Sequence, residues 1–238
     1  MKHVSHYIRD LRDREKSKRF IAYLVLSWGL FGIFLQFARS FLSDDPLRSF
    51  INNFVYFTTQ SNILITIISY LYLRKKNDSI LYSSLSFIAL INILVTGIVF
   101  HILLTPYMSS VSFLNHVLHT INPLIYVLFY FVVVTEYPAI KKVWIVLIYP
   151  MIYMLFVYLF VEPVLGNNLD QMVDVFDSAR YVYPFLDPRN YERGFLGVLI
   201  FNLGILAPVM IIFSIFLLFL KQKFEHIFQL NSNKKEVA

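Results

Sequence analysis

Two short runs hold the residues best suited to chemistry. Thr58-Thr59-Gln60-Ser61-Asn62 opens an otherwise apolar stretch that continues through Thr66 and Ser69, and Asn115, His116, His119 and Asn122 interrupt a second one. A hydroxyl and an imidazole brought together make a nucleophile and its general base. Threonine attacks a carbonyl only if a neighbour accepts its proton, and imidazole titrates near working pH. Thr58 as nucleophile and His119 as base are therefore the predicted catalytic pair. Such a pair also needs a group that orients the ring and donors for the oxyanion. Asp187 or His116 is expected to orient it, and Gln60 and Asn62 to donate. Asn115, Asn122 and Tyr183 complete the candidate set.

At about 3.6 residues per turn, Thr58, Asn62, Thr66 and Ser69 fall on one helical stripe, and Asn115, His119 and Asn122 fall on another. Polar stripes in apolar helices must face each other, a third helix or a water-filled cavity. Pro123 lacks the N–H that would bond the His119 carbonyl, which predicts a kink and open space beside the imidazole. Pro150 and Pro208 would kink two later helices. Each residue also has a plain structural reading. A threonine hydroxyl in a helix commonly bonds its own i−4 carbonyl, and Asn and Ser commonly bond one helix to the next. His101 and His116, near helix ends, read equally as wetted interface residues. A metal site is the alternative chemistry: His116 and His119 are three apart on a helix and, with His101 and Asp187, would suit zinc.

The elements that must position these groups are membrane helices. Of 238 residues, 58% are hydrophobic and 15% charged, and mean hydropathy is +0.62. A water-soluble domain needs a more polar surface. The fold class expected is all-α, a polytopic bundle of six transmembrane helices near Phe20 to Leu42, Ile51 to Leu73, Ser79 to Leu104, Ser112 to Thr135, Val143 to Pro163 and Phe195 to Leu220. Each is long enough for about 30 Å of hydrocarbon at roughly 1.5 Å per residue. There is no cysteine, which excludes disulfides and thiolate chemistry. The net charge of +6 sits beside apolar spans, so it suits a membrane surface and not nucleic acid.

Lysine and arginine set the expected orientation. Lys2, Arg9, Arg12, Arg14, Lys16, Lys18 and Arg19 precede the first span. Arg74, Lys75 and Lys76, then Lys141 and Lys142, and finally Lys221, Lys223, Lys234 and Lys235 occupy the other segments on that side. Arg39, Arg48, Arg180, Arg189 and Arg193 alone fall opposite. Both termini are thus expected in the cytoplasm, with a basic segment at 1–19, a transmembrane domain at 20–220 and a tail at 221–238. An outer cap at about 164–194 carries Asp170, Asp174, Asp177, Asp187 and the run Tyr181-Val182-Tyr183-Pro184-Phe185-Leu186-Asp187-Pro188. Thr58 and His119 would lie level, roughly 10 Å below the outer surface.

Three motifs resemble the androgen-induced-gene and FAR-type family of multi-pass membrane proteins. Phe113-Leu114-Asn115-His116-Val117-Leu118-His119-Thr120, with Pro123, is similar to its Asn-His-x-x-His-Thr segment. Val182-Tyr183-Pro184-Phe185-Leu186-Asp187 resembles its Tyr-Pro-Phe-Leu-acid segment, and Tyr56-Phe57-Thr58 sits where its Phe-x-Thr would fall. Phe57-Thr58-x-Gln60-Ser61-Asn62 and His101 look closer to the bacterial branch, which implies a bacterial plasma membrane. The resemblance implies a threonine hydrolase of fatty acid esters of hydroxy fatty acids, with Thr58 and His119 as the essential pair. Thr59-Gln60-Ser61-Asn62 departs from the animal pattern, leaving Thr59 or Ser61 as alternative hydroxyls.

The expected activity is cleavage of a membrane lipid ester near the outer leaflet, with no cofactor and with a lipid or lipid-like ester as partner. A non-catalytic lipid-binding or transport protein is the reading from a different class. Paired broken helices or inverted repeats, which mark many transporters, are not evident in the sequence.

Overall fold

The computed structural model describes residues 15–108, 110–170 and 179–236, and every regular element among them is helical. Lys2, Arg9, Arg12, Arg14, Asp174 and Asp177 lie outside the described residues. Seven helices are numbered here in chain order: α1 (Glu15–Ser40), α2 (Pro46–Asn53), α3 (Phe57–Leu73), α4 (Ile80–Leu104), α5 (113–132), α6 (Ile140–Asp170) and α7 (195–236). Four of them, α1, α4, α6 and α7, are long and apolar enough to cross a membrane, and the bent pair α2 plus α3 makes a fifth if counted as one span. Among the described residues the fold is all-helical, and its several long apolar helices fit a multi-pass membrane protein.

Local chemistry sets the ends. Ser79 accepts from Tyr82 N at 3.0 Å and Ser112 from Asn115 N at 3.2 Å, N-caps that satisfy otherwise unpaired donors. Asp45 caps α2 through Arg48 N, with Pro46 in the first turn. The stretch expected as one span from Ile51 is instead broken: α2 ends at Asn53 and α3 leaves at 65°. The Gln60 amide donates to Phe54 O and Tyr153 OH to Val55 O, so side chains satisfy carbonyls freed at the corner. α3 closes with Lys75 at φ 55, where Lys76 N reaches Leu71 O and Lys75 N reaches Tyr72 O, the paired bonds of a Schellman end.

Prolines set a second pattern. Among the described residues four π-helical turns occur, at Phe100–Leu104, Val117–Ile121, Val157–Val161 and Asn202–Leu206. Each ends on a residue whose N–H bonds five back, namely Thr105, Asn122, Glu162 and Ala207. The next residue is always a proline: Pro106, Pro123, Pro163 and Pro208. A proline ring collides with the carbonyl four residues back, and widening the preceding turn relieves the clash without ending the helix. Pro150 acts differently, following a tight 3₁₀ stretch over Ile140–Leu147.

Helices α1, α3, α4 and α5 form the core. α1 offers a stripe of small residues: a side chain on Gly29 would strike Thr66, and one on Gly32 would meet Val117, Leu118 and Asn122. Close backbone approach of this kind is how helices associate in lipid, where no hydrophobic force drives them together. α6 packs its far end, Tyr153, Val157 and Val161, against Val55 and against Ala179, Val182 and Leu186 of the cap. Thr58 and the described part of the cap lie at one end of the bundle, and Lys75, Lys76, Lys141, Lys142 and Lys221 at the other. α7 runs on to Glu236, through the segment expected as a tail, and Lys221 is buried in the structure.

Candidate functional site

At the cap end the two predicted stripes meet through one residue. Asn62 Nδ2 donates to Thr58 O at 2.9 Å on its own helix and to Leu118 O at 3.3 Å on α5, while Asn62 Oδ1 accepts from Asn122 Nδ2 at 2.7 Å. Pro123 and the π turn explain the cross-helix bond, because Pro123 has no N–H for the carbonyls beneath it. Leu118 O takes a donor from α3 instead. His119 O lies over Gly97, where any Cβ would sit 2.8 Å from that oxygen. The lower part of the α3 stripe follows the local pattern: Thr66 Oγ donates to Asn62 O and Ser69 Oγ to Thr66 O.

His119 is 8% exposed, lies within the π turn, and stacks on Phe100 with centroids 3.9 Å apart and planes 12° from parallel. Its Nδ1 is 3.3 Å from Thr96 O. A carbonyl only accepts, so Nδ1 carries the hydrogen and Nε2 keeps its lone pair, the tautomer a general base requires. The orienting group is thus a backbone carbonyl of α4, and neither Asp187 nor His116 fills that role. Asp187 is buried but fully engaged, accepting from Arg189 N, Nε and Nη2 at 2.9, 3.0 and 2.8 Å. His116 is exposed, and His101 Nε2 shares a hydrogen bond with Thr120 Oγ at 2.8 Å. The alternative zinc set does not converge: among the described residues no three His, Cys, Asp or Glu side chains gather where they could hold one ion.

Thr58 faces the cap. The Tyr183 phenol lies beside the Thr58 hydroxyl and backbone, close enough for both to favour its ionised form. Val182, just before it, has φ 69, and Tyr183 N bonds Tyr181 O at 2.7 Å, a γ-turn rare for a β-branched residue. That strained turn aims Tyr183 at α3, where Phe185 stacks on it at 5.3 Å and Tyr153 packs beside it. Burial pushes the Tyr183 phenol up to about 12, only partly offset by the neighbouring Thr58. It is therefore neutral near pH 7 and not a base. Thr58 and His119 thus stand on neighbouring helices tied by Asn62, with different immediate partners.

The other candidates are accounted for. Thr59 Oγ accepts from Gln36 Nε2 at 2.7 Å and is fully buried. Ser61 is also fully buried, which leaves half-buried Thr58 the most reachable of the three hydroxyls. Gln60 is committed to Phe54 O and to Tyr149 OH, a tie between α3 and α6. Asn115 sits in the first turn of α5, where its N–H is capped by Ser112. Sequence reasoning missed Asn92, Thr96 and Phe100, four apart along α4, which put the His119 contacts and two buried polar side chains on one stripe. The signal was present: Asn92 is the one asparagine in the most hydropathic stretch of that span. Comparison with protein-family models, curated proteins and solved structures finds no match for this chain.

Proposed function

We propose that this chain is an intramembrane lipid ester hydrolase of the kind its motifs resemble, a six-span protein with both termini in the cytoplasm and its site in the outer half of a bacterial plasma membrane. The observation that carries the reading is the Asn62 amide, which ties the Thr58 turn to the His119 turn while Thr96 O fixes the His119 tautomer. In the reaction Thr58 Oγ attacks the ester carbonyl carbon and its proton passes to His119 Nε2. The alcohol leaves with that proton, and water then cleaves the acyl-threonine ester by the same base. Tyr183, neutral at working pH and beside the Thr58 hydroxyl, is the donor assigned to the developing oxyanion.

Catalytic bonds are often long before substrate binds and tighten in the complex. Purified protein in lipid nanodiscs is expected to hydrolyse long-chain acyl esters, including fatty acid esters of hydroxy fatty acids. Thr58→Ala and His119→Ala are each expected to lower turnover by about 10²-fold or more, the scale of a lost general base. Full activity in the double variant sinks the reading.

A further inference from the structure

An open cleft of about 440 Å³ runs from the cap into the outer half of α7 and is lined by Glu192, Arg193, Gly197, Ile200, Phe201 and Ile205, with Asn190 and Tyr191 along its wall. Its volume falls within the roughly 300–1,000 Å³ of a small-ligand site. The wall is built: the Tyr191 side chain lies directly on Gly197, where an added Cβ would come within 2.4 Å of the Tyr191 Cβ and 2.8 Å of its ring, and Tyr191 OH bonds Phe185 O at 3.0 Å. Asn202 Nδ2 reaches the same carbonyl at 3.0 Å, so α7 and the cap are pinned together beside the opening.

We infer that this cleft binds one amine-headed, zwitterionic glycerophospholipid. Only 17% of the most apolar window of this helix is buried inside the protein, and Ile200 and Ile205 stand about half exposed, so the medium at that depth is hydrocarbon. Whatever fills an apolar floor there is an acyl chain. The rim carries one charge of each sign on adjacent exposed residues, the guanidinium of Arg193 and the carboxylate of Glu192. A guanidinium matches a phosphate, and a carboxylate matches a primary ammonium. α7 begins just after Arg193, following Gly194 at φ 53, so the partial positive charge of its first turn adjoins the guanidinium in sequence. The inference needs only the membrane placement of α7, not the chemistry at Thr58.

The test uses the full chain in nanodiscs with a trace of phosphatidylethanolamine bearing a photoreactive acyl chain. Labelling is expected to concentrate on the segment from Ile200 to Ile205 over Ile212 and Phe216, which are no less exposed. Unlabelled phosphatidylethanolamine should compete about tenfold better than phosphatidylglycerol, the scale of one charge-assisted contact. Ile200→Trp should remove the label by filling the cleft. Glu192→Gln with Arg193→Gln, both at exposed positions, should erase the headgroup preference, and Thr58→Ala should leave labelling unchanged. Equal labelling of both faces, or a preference that survives the charge-neutral pair, marks the lipid as annular and overturns the inference.

Discussion

At the lysine-bearing end the core helices α3, α4 and α5 are plain α-helices, and the interior there is mainly apolar: Ile65, Ile68, Leu90, Ile91, Phe129 and Tyr130 pack in one cluster, with only small hydroxyls such as Ser69, Ser83 and Ser86 buried beside it. At the cap end four helices widen into π turns, and Asn62, Asn122, Thr96 and His119 replace the hydrocarbon. The lysine end is closed by one cation. Lys221, with no exposed surface, donates to Tyr130 O, Phe131 O and Val134 O at the end of α5 and pairs with Glu225 at 2.7 Å. A helix end covered by another helix must have its last carbonyls satisfied, and a single ammonium does it. The cap end spreads the same task over amides from several helices, leaving backbone and ring groups presented where a reaction could use them. Burial follows a second division: 56% of the apolar window of α4 is inside the protein against 17% for α7, so lipid solvates what the core helices do not.

The contrast can be broken most forcefully at Lys221. Lys221→Met should cost about 3–5 kcal/mol, because the buried Glu225 carboxylate loses this ammonium and three carbonyls lose a donor. Lys223→Met, at an exposed site two residues on, should stay within about 0.5 kcal/mol. Thermal unfolding in detergent distinguishes them, and equal effects would remove the idea of a single closing cation.

Gly97 and Gly204 form the next pair. Gly97→Ala must push a Cβ against the His119 carbonyl and should destabilise by about 1–3 kcal/mol. Gly204 has nothing within 4 Å of its would-be side chain, so Gly204→Ala should be neutral or gain up to about 1 kcal/mol of helix propensity. A smaller loss, about 1–2 kcal/mol, is expected of Asn62→Leu, which removes bonds to Thr58 O, Leu118 O and Asn122 that are each worth about 0.6 kcal/mol in a membrane. If that variant proves as stable as the parent, the polar seam does not hold α3 to α5.

The smallest effect concerns pH. The Tyr183 phenol is held above its ordinary value of 10.0, at about 12, mainly by burial. Its contribution is complete below pH 10 and is lost as pH rises from about 10 to about 12, since the folded site resists the phenolate more than the unfolded chain does. Tyr183→Phe should therefore flatten the alkaline fall in stability, measured by unfolding at stepped pH. An unchanged slope would mean that the Tyr183 phenol is not held in a buried site.

Much of this was legible in the residues themselves. Hydropathy alone dictates a multi-pass helical protein, because hydrocarbon leaves the backbone no other partner, and the lysines alternate with the spans as the bundle's two ends require. Pro123 announced the disturbance beside His119, and the 58–62 and 115–122 spacings announced stripes that meet at Asn62. Tertiary structure alone decided which atoms those stripes present. Spacing fixes the face of a helix but not its rotation against a neighbour. The orienting acceptor for His119 is a main-chain carbonyl on α4, a group every residue possesses and no motif marks. Thr58 turns to Tyr183 because a strained turn at Val182, some 120 residues away in sequence, delivers the phenol there. The break between α2 and α3 was equally hidden, since no proline or glycine marks it and it is held by Gln60 and Tyr153 reaching in from outside the corner. Composition chose the solvent and the element type; contacts between distant segments chose the geometry, because a hydrogen bond's direction is set by where its partner's backbone has been packed.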